Sequence, residues 1–198
     1  MQEKRLILIA ALFYLLLGAV GLAWAYYGRG EWLLSFSAER PYPALELLLL
    51  ASALGLHILF DIAGPKKVPA IARFWNSLHH SLGPLHISTV LLLSLLSAYG
   101  EELFFRGALQ PAVGYLPATV LFALSHFPPQ KSMLIWPFYA LAMGAVLGLL
   151  RILGGDIYSA VLLHFLANTV SLYLLRKSVY VRVQTALPPH RLPTTLLQ

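Results

Sequence analysis

Glu101 and Glu102 stand side by side behind the uncharged run Ile87 to Gly100, with Arg106 four residues beyond Glu102. On a helix Glu102 and Arg106 are i, i+4 neighbours and can pair, which leaves Glu101 as the carboxylate free to take a proton. His126 lies in the next apolar stretch. His164 and Asn168, again i, i+4 neighbours on one helix face, lie in the last. A carboxylate beside a neutral imidazole can hold and deprotonate a water. An imidazole with an amide can donate hydrogen bonds to the oxyanion that forms when that water attacks a carbonyl. The chemistry indicated is hydrolysis.

The elements that must carry these groups are membrane helices. Of 198 residues, 59% are hydrophobic and 11% charged, with mean hydropathy +0.73, whereas soluble domains carry about 25% charged residues. A carboxylate at mid-helix in hydrocarbon costs about 3 kcal/mol, and two adjacent ones repel, so a membrane protein that keeps such a pair uses it. The expected fold is all-α: a polytopic transmembrane helical bundle of about six spans. These are Leu6 to Tyr27, Pro43 to Ala63, Pro84 to Gln110, the short Leu116 to Phe127, Leu134 to Leu150, and Ile157 to Leu175. Pro84 suits a first turn and Pro111 a stop. Gly64 to Ser81 and Pro128 to Ser132 read as loops, and Gly154-Gly155 as a turn. Residues 1–175 are expected to form one integral membrane domain with the reactive groups within 85–175. Residues 176–198, with three prolines, read as a cytoplasmic or surface tail.

Depth brings the reactive groups together. Glu101 precedes Pro111, and His126 follows Leu116, by rises of roughly 14 Å, so an antiparallel hairpin sets them level. His164 and Asn168 lie roughly 12 and 18 Å beyond Gly154-Gly155 on the same membrane side. Four polar groups from three helices share one layer. Elsewhere, Glu46 and Asp61 near the ends of the second span are expected to face headgroups or loops, and His57 lies nearer its middle. His79, His80 and His86, near Trp75, read as interfacial.

Charge and composition narrow the partners. Cysteine is absent, which removes thiol nucleophiles, disulfides and cysteine metal sites. The net charge of +6 is scattered between the spans, so the expected partner is the lipid bilayer with its anionic headgroups rather than nucleic acid. With both termini inside, Lys4, Arg5, Lys66, Lys67, Arg73, Lys131, Arg176, Lys177, Arg182 and Arg191 fall on the cytoplasmic side. Arg29, Arg40, Arg106 and Arg151 do not.

Gly100 to Gly107 fits an EExxxR pattern, Phe122 to His126 an FxxxH pattern, and His164 to Asn168 an HxxxN pattern. In order and spacing these resemble the CPBP intramembrane proteases, the family of the CAAX endopeptidases and of bacteriocin-processing and immunity proteins. The resemblance implies that Glu101 and His126 activate the water, that His164 and Asn168 form the oxyanion hole, and that Glu102 and Arg106 support the site. It also implies a glutamate mechanism without metal, a membrane-tethered protein or peptide substrate, and a multi-pass, prokaryotic cytoplasmic membrane location. The CAAX specificity itself is not carried over, because small members cleave varied tethered peptides. Zinc is the competing chemistry, since Glu101, His126 and His164 would make a His2Glu set. A non-catalytic scaffold or immunity protein and a proton-coupled carrier are the non-protease readings. No inverted repeat supports a carrier, and no motif position is degraded as a lapsed enzyme would require.

Overall fold

A computed structural model describes residues 2–37, 39–128 and 130–177, all helix and loop without a strand among them. The proposed tail, from residue 178 on, lies outside the described residues. Among the described residues eight α-helices follow in order: α1 (Gln2–Arg29), α2 (Pro43–Lys67), α3 (Pro69–Leu82), α4 (Ile87–Glu102), α5 (Gln110–Val113), α6 (Tyr115–Ser125), α7 (Ile135–Gly154) and α8 (Tyr158–Arg176). A π-helical segment, Leu103–Leu109, joins α4 to α5, and a 3-10 turn, Lys131–Met133, precedes α7.

Five helical stretches among the described residues have the length and apolarity to cross a membrane: Glu3–Arg29, Pro43–Lys67, Ile87–Val113, Lys131–Gly154 and Tyr158–Arg176. The expected fourth span is the 11-residue helix Tyr115–Ser125, about 16 Å long and so half of a bilayer core. The burial pattern is the inverse of a soluble bundle. In α4, Val90, Leu93, Ser94, Ser97, Ala98 and Glu101 face inward along one stripe, while Leu91, Leu92 and Leu95 face out. In α2, Glu46, His57 and Asp61 are buried while Leu47, Leu48, Leu56 and Leu59 are exposed. An apolar exterior over a polar interior places these helices in lipid.

Two sequence expectations are corrected here. The segment Gly64 to Ser81 is not a loop: α2 runs through Pro65 to Lys67, and Pro69, in a first turn where no N–H is needed, starts α3. One face of α3 carries Ile71, Phe74, Trp75 and Leu78, which pack on Leu172 and Leu175 of α8 and on Ile135. That tertiary contact turns a Pro- and Lys-flanked stretch into helix. Second, Pro111 does not stop the chain, which stays helical to Val113. Pro111 has no N–H to offer the Gly107 carbonyl, but Arg29 Nη2 bonds that oxygen at 2.6 Å and Arg29 Nη1 bonds the Ala108 oxygen at 3.2 Å. The orphaned acceptors are satisfied from α1.

Helix α1 crosses α4 and the π-helical segment at very short range. A Cβ on Gly21 would come 2.6 Å from the Leu103 carbonyl oxygen, and one on Gly100 would come 2.5 Å from the Tyr14 carbonyl oxygen. Small residues at such a crossing let two backbones touch in lipid, where packing rather than the hydrophobic effect holds helices together. Gly21→Val is therefore expected to cost about 1–3 kcal/mol, seen as a lower midpoint of thermal unfolding in detergent. An unchanged midpoint would show that the crossing tolerates separation.

Candidate active site

The inward stripe of α4 ends at Glu101 and Glu102, and the π-helical segment that follows turns Arg106 back over Glu102. One wide turn changes the phase of the helix, a feature frequent at functional sites. Arg106 Nη1 lies 3.1 Å from Glu102 Oε1, and Arg106 Nη2 bonds the Gly144 carbonyl of α7 at 3.0 Å. The guanidinium also stacks over Phe122, with Cζ 4.1 Å from the ring centroid. Both partners of the pair are sealed from solvent, with side chains 2% and 0% exposed. Gly144 lets α7 close on the same ring: a Cβ there would meet Phe122 at 2.9 Å.

Glu102 is shared. His164 Nδ1 lies 2.7 Å from the same Oε1 that Arg106 contacts. Because the carboxylate can only accept, Nδ1 donates, and Nε2 of His164 points the other way, 4.0 Å from Glu101 Oε2. His126 repeats the arrangement. Its Nδ1 donates to the Phe122 carbonyl at 2.7 Å, and its Nε2 lies 3.7 Å from Glu101 Oε2. The end of α6 produces this geometry: the helix stops at Ser125, and His126 folds its ring back onto the last turn with φ −95° and ψ 12°.

Glu101 Oε2 is buried and has no hydrogen-bond partner among the described residues. Two imidazole nitrogens face it from separate helices at distances too long for a direct hydrogen bond. A water there would bridge Oε2 and a ring nitrogen, the arrangement that activates a nucleophile. Asn168 sits next to this group, its Nδ2 donating to Ser97 Oγ at 2.9 Å, one turn before Glu101 on α4.

The donor set has the right types for zinc but not the spacing. Tetrahedral ligands at zinc's bond lengths lie about 3.3 Å apart, whereas Glu101 Oε2 stands 3.7 and 4.0 Å from the two nitrogens. Among the described residues no group of three His, Asp or Glu side chains is arranged to hold a metal ion.

A cavity of about 280 Å³ lies beside Asn168, lined by Tyr14, Ser97 and Asn168 and by Phe74, Trp75 and Trp136, while Glu101, His126 and His164 are not among its lining residues. It extends to Leu6 of α1 and Leu172 of α8. Asp61 also lines it, contrary to its expected place among headgroups. It is 1% exposed, and it accepts a 2.6 Å bond from Ser171 and lies 3.2 Å from His57 Nε2. His57 in turn contacts the Ala167 carbonyl at 2.9 Å and the Tyr139 hydroxyl at 2.5 Å, tying α2 and α7 to the part of α8 that carries Asn168. Glu46, expected to face headgroups or loops, is buried and paired at 2.6 Å with Arg40 of the segment before α2, and it is bonded to Ser159. Sequence reasoning missed this second network. The signal for it was the i, i+4 spacing of His57 and Asp61, which sets two polar groups on one face of an apolar helix. The stacking of Phe122 on Arg106 was also missed, because an aromatic in an apolar run reads as packing.

The family model described as type II CAAX prenyl endopeptidase Rce1-like matches residues 83–170, the stretch that holds all six of these residues. Over 84 residues the chain is 32% identical to the uncharacterized protein YpbD of Bacillus subtilis (strain 168), covering 42% of this chain and 44% of that protein. The match thus spans less than half the length of that relative. No solved structure matches the chain.

Proposed function

We propose that this chain, whose residues 83–170 match the Rce1-like family, is an intramembrane endopeptidase of glutamic type that hydrolyses a peptide bond near the membrane-anchored end of its substrate. The observation that carries the reading is the unpartnered Glu101 Oε2 faced by Nε2 of His126 and of His164. In this reading a water bridging Glu101 and His126 gives its proton to Glu101, and its oxygen attacks the scissile carbonyl. The oxyanion is met by Asn168 Nδ2 and by His164 Nε2–H. His164 must then carry both protons, and the Glu102 carboxylate against Nδ1 compensates the resulting charge. When the C–N bond breaks, the proton held by Glu101 passes to the leaving amine. Glu102 and Arg106 hold the frame.

The substrate in this reading is a membrane-tethered protein or peptide whose apolar part enters the cavity. That cavity runs from Asn168 toward Leu6, at the Lys4-Arg5 end of α1. With both termini inside, access is from the cytoplasmic half of the membrane.

Cells carrying Glu101→Ala should accumulate uncleaved membrane-anchored peptides whose trimmed forms dominate in wild type, read by mass spectrometry of membrane peptides. Identical peptide pools in the two strains would remove the protease reading. Wild-type cleavage of the accumulated peptide should persist after chelation. Loss of cleavage that zinc restores would replace the metal-free mechanism with a His2Glu zinc site.

A further inference from the structure

Ser97 lies on the inward stripe of α4, one turn before Glu101, and belongs to none of the three motifs. It is buried where α4 meets α8, and it lines the same cavity as Asn168. Its hydroxyl is the middle of a short chain of hydrogen bonds. Ser97 Oγ donates to the Ser94 carbonyl at 3.2 Å, and Asn168 Nδ2 donates to Ser97 Oγ at 2.9 Å. A carbonyl only accepts, so the one hydroxyl proton is committed to Ser94. The oxygen is left as an acceptor toward Asn168.

That direction bears on the chemistry because the end of an asparagine is nearly two-fold in shape. Its last torsion is broad, and the amide can present either its NH2 group or its carbonyl to a neighbour. Opposite an acceptor only the NH2 group fits, since Oδ1 would face the lone pairs of Ser97 Oγ. An amide nitrogen lends an N–H to a developing oxyanion, whereas an amide oxygen in the same place repels it. We propose that Ser97 is a positioning residue for Asn168: its hydroxyl, spent as a donor on Ser94, accepts one Nδ2–H and holds the amide in the donor orientation, with the other N–H serving the oxyanion. The inference rests on the protease reading proposed above, in which Asn168 is an oxyanion donor.

Ser97→Ala tests it, since little volume is lost and alanine keeps the helix. With the peptide that accumulates in Glu101→Ala cells as substrate, kcat is expected to fall about 10-fold, less than the loss of about 10²- to 10³-fold from removing the donor itself. KM should stay within about twofold, because the oxyanion is absent from the ground state, and the thermal midpoint in detergent should be unchanged. In an Asn168→Ala background the same substitution should cost less than about twofold, because Ser97 then has no amide to hold. An unaltered kcat, an equal loss in both backgrounds, or a raised KM with kcat kept overturns the proposal and leaves Ser97 as packing or cavity wall. Nuclear magnetic resonance gives a readout free of turnover. The side-chain NH2 pair that Asn168→Ala removes from the nitrogen–proton spectrum should shift in Ser97→Ala, and a pair that stays in place also overturns the proposal. If wild type cleaves nothing, the protease reading falls, and the same pair still decides whether Ser97 holds Asn168.

Discussion

Glu101→Gln is expected to abolish cleavage of the tethered substrate while leaving the helical bundle intact. Glutamine has nearly the shape of glutamate and can still hydrogen-bond, but it cannot take a proton. Loss of a general base costs about 10²- to 10⁴-fold in rate. The neighbouring Glu102 is held in place through Oε1 by both Arg106 and His164. His126→Ala should fall as far, since its Nε2 is the nitrogen nearest Glu101 Oε2, at 3.7 Å. Asn168→Ala should retain more, with a loss of about 10²- to 10³-fold, the effect of removing one oxyanion donor. The measurement is turnover of the accumulated peptide by purified protein, with circular dichroism and detergent melting as checks on folding. Wild-type turnover by Glu101→Gln would eliminate the mechanism.

Arg106→Ala is expected to have the largest effect on stability. Arg106 is 2% exposed and Glu102 is 0% exposed in their side chains. Removing one partner of a buried pair leaves an uncompensated charge and costs about 3–5 kcal/mol. The loss is compounded by the Gly144 hydrogen bond and the Phe122 stacking that the guanidinium provides. Detergent melting should show a much lower midpoint or no folded protein. The double substitution Glu102→Met with Arg106→Met separates charge from chemistry. It should recover much of the stability, because no unpaired charge remains, yet stay slow, because His164 has lost the acceptor on its Nδ1. A single Arg106→Ala as stable as wild type would show that the pair is not the buried link described here.

The depth of each reactive group was legible in the sequence because an α-helix advances uniformly. Counting residues from two turns set Glu101, His126 and His164 level, and Nε2 of His126 and of His164 lie 3.7 and 4.0 Å from Glu101 Oε2. Local irregularities were not legible. The π-helical segment Leu103–Leu109 left no mark in the spacing, and the continuation past Pro111 is supported by Arg29, a residue far away in the chain whose bonds to Gly107 and Ala108 no spacing rule reveals. Helix α3 was hidden for a similar reason. Its apolar face is covered by residues distant in the chain, Phe60, Ile135, Leu172 and Leu175, so the flanking Pro and Lys dominated the local reading.

The membrane class, the helical bundle and the cluster of reactive residue types follow from the chain alone, because hydropathy and helical periodicity are properties of the local sequence. Which atom faces which followed only from tertiary packing. The sharing of Glu102 between Arg106 and His164 and the freeing of Glu101 Oε2 arise where separate helices meet. They depend on side-chain directions at crossings set by Gly100 and Gly144, where the absence of a Cβ allows contact that residue spacing along one helix cannot express.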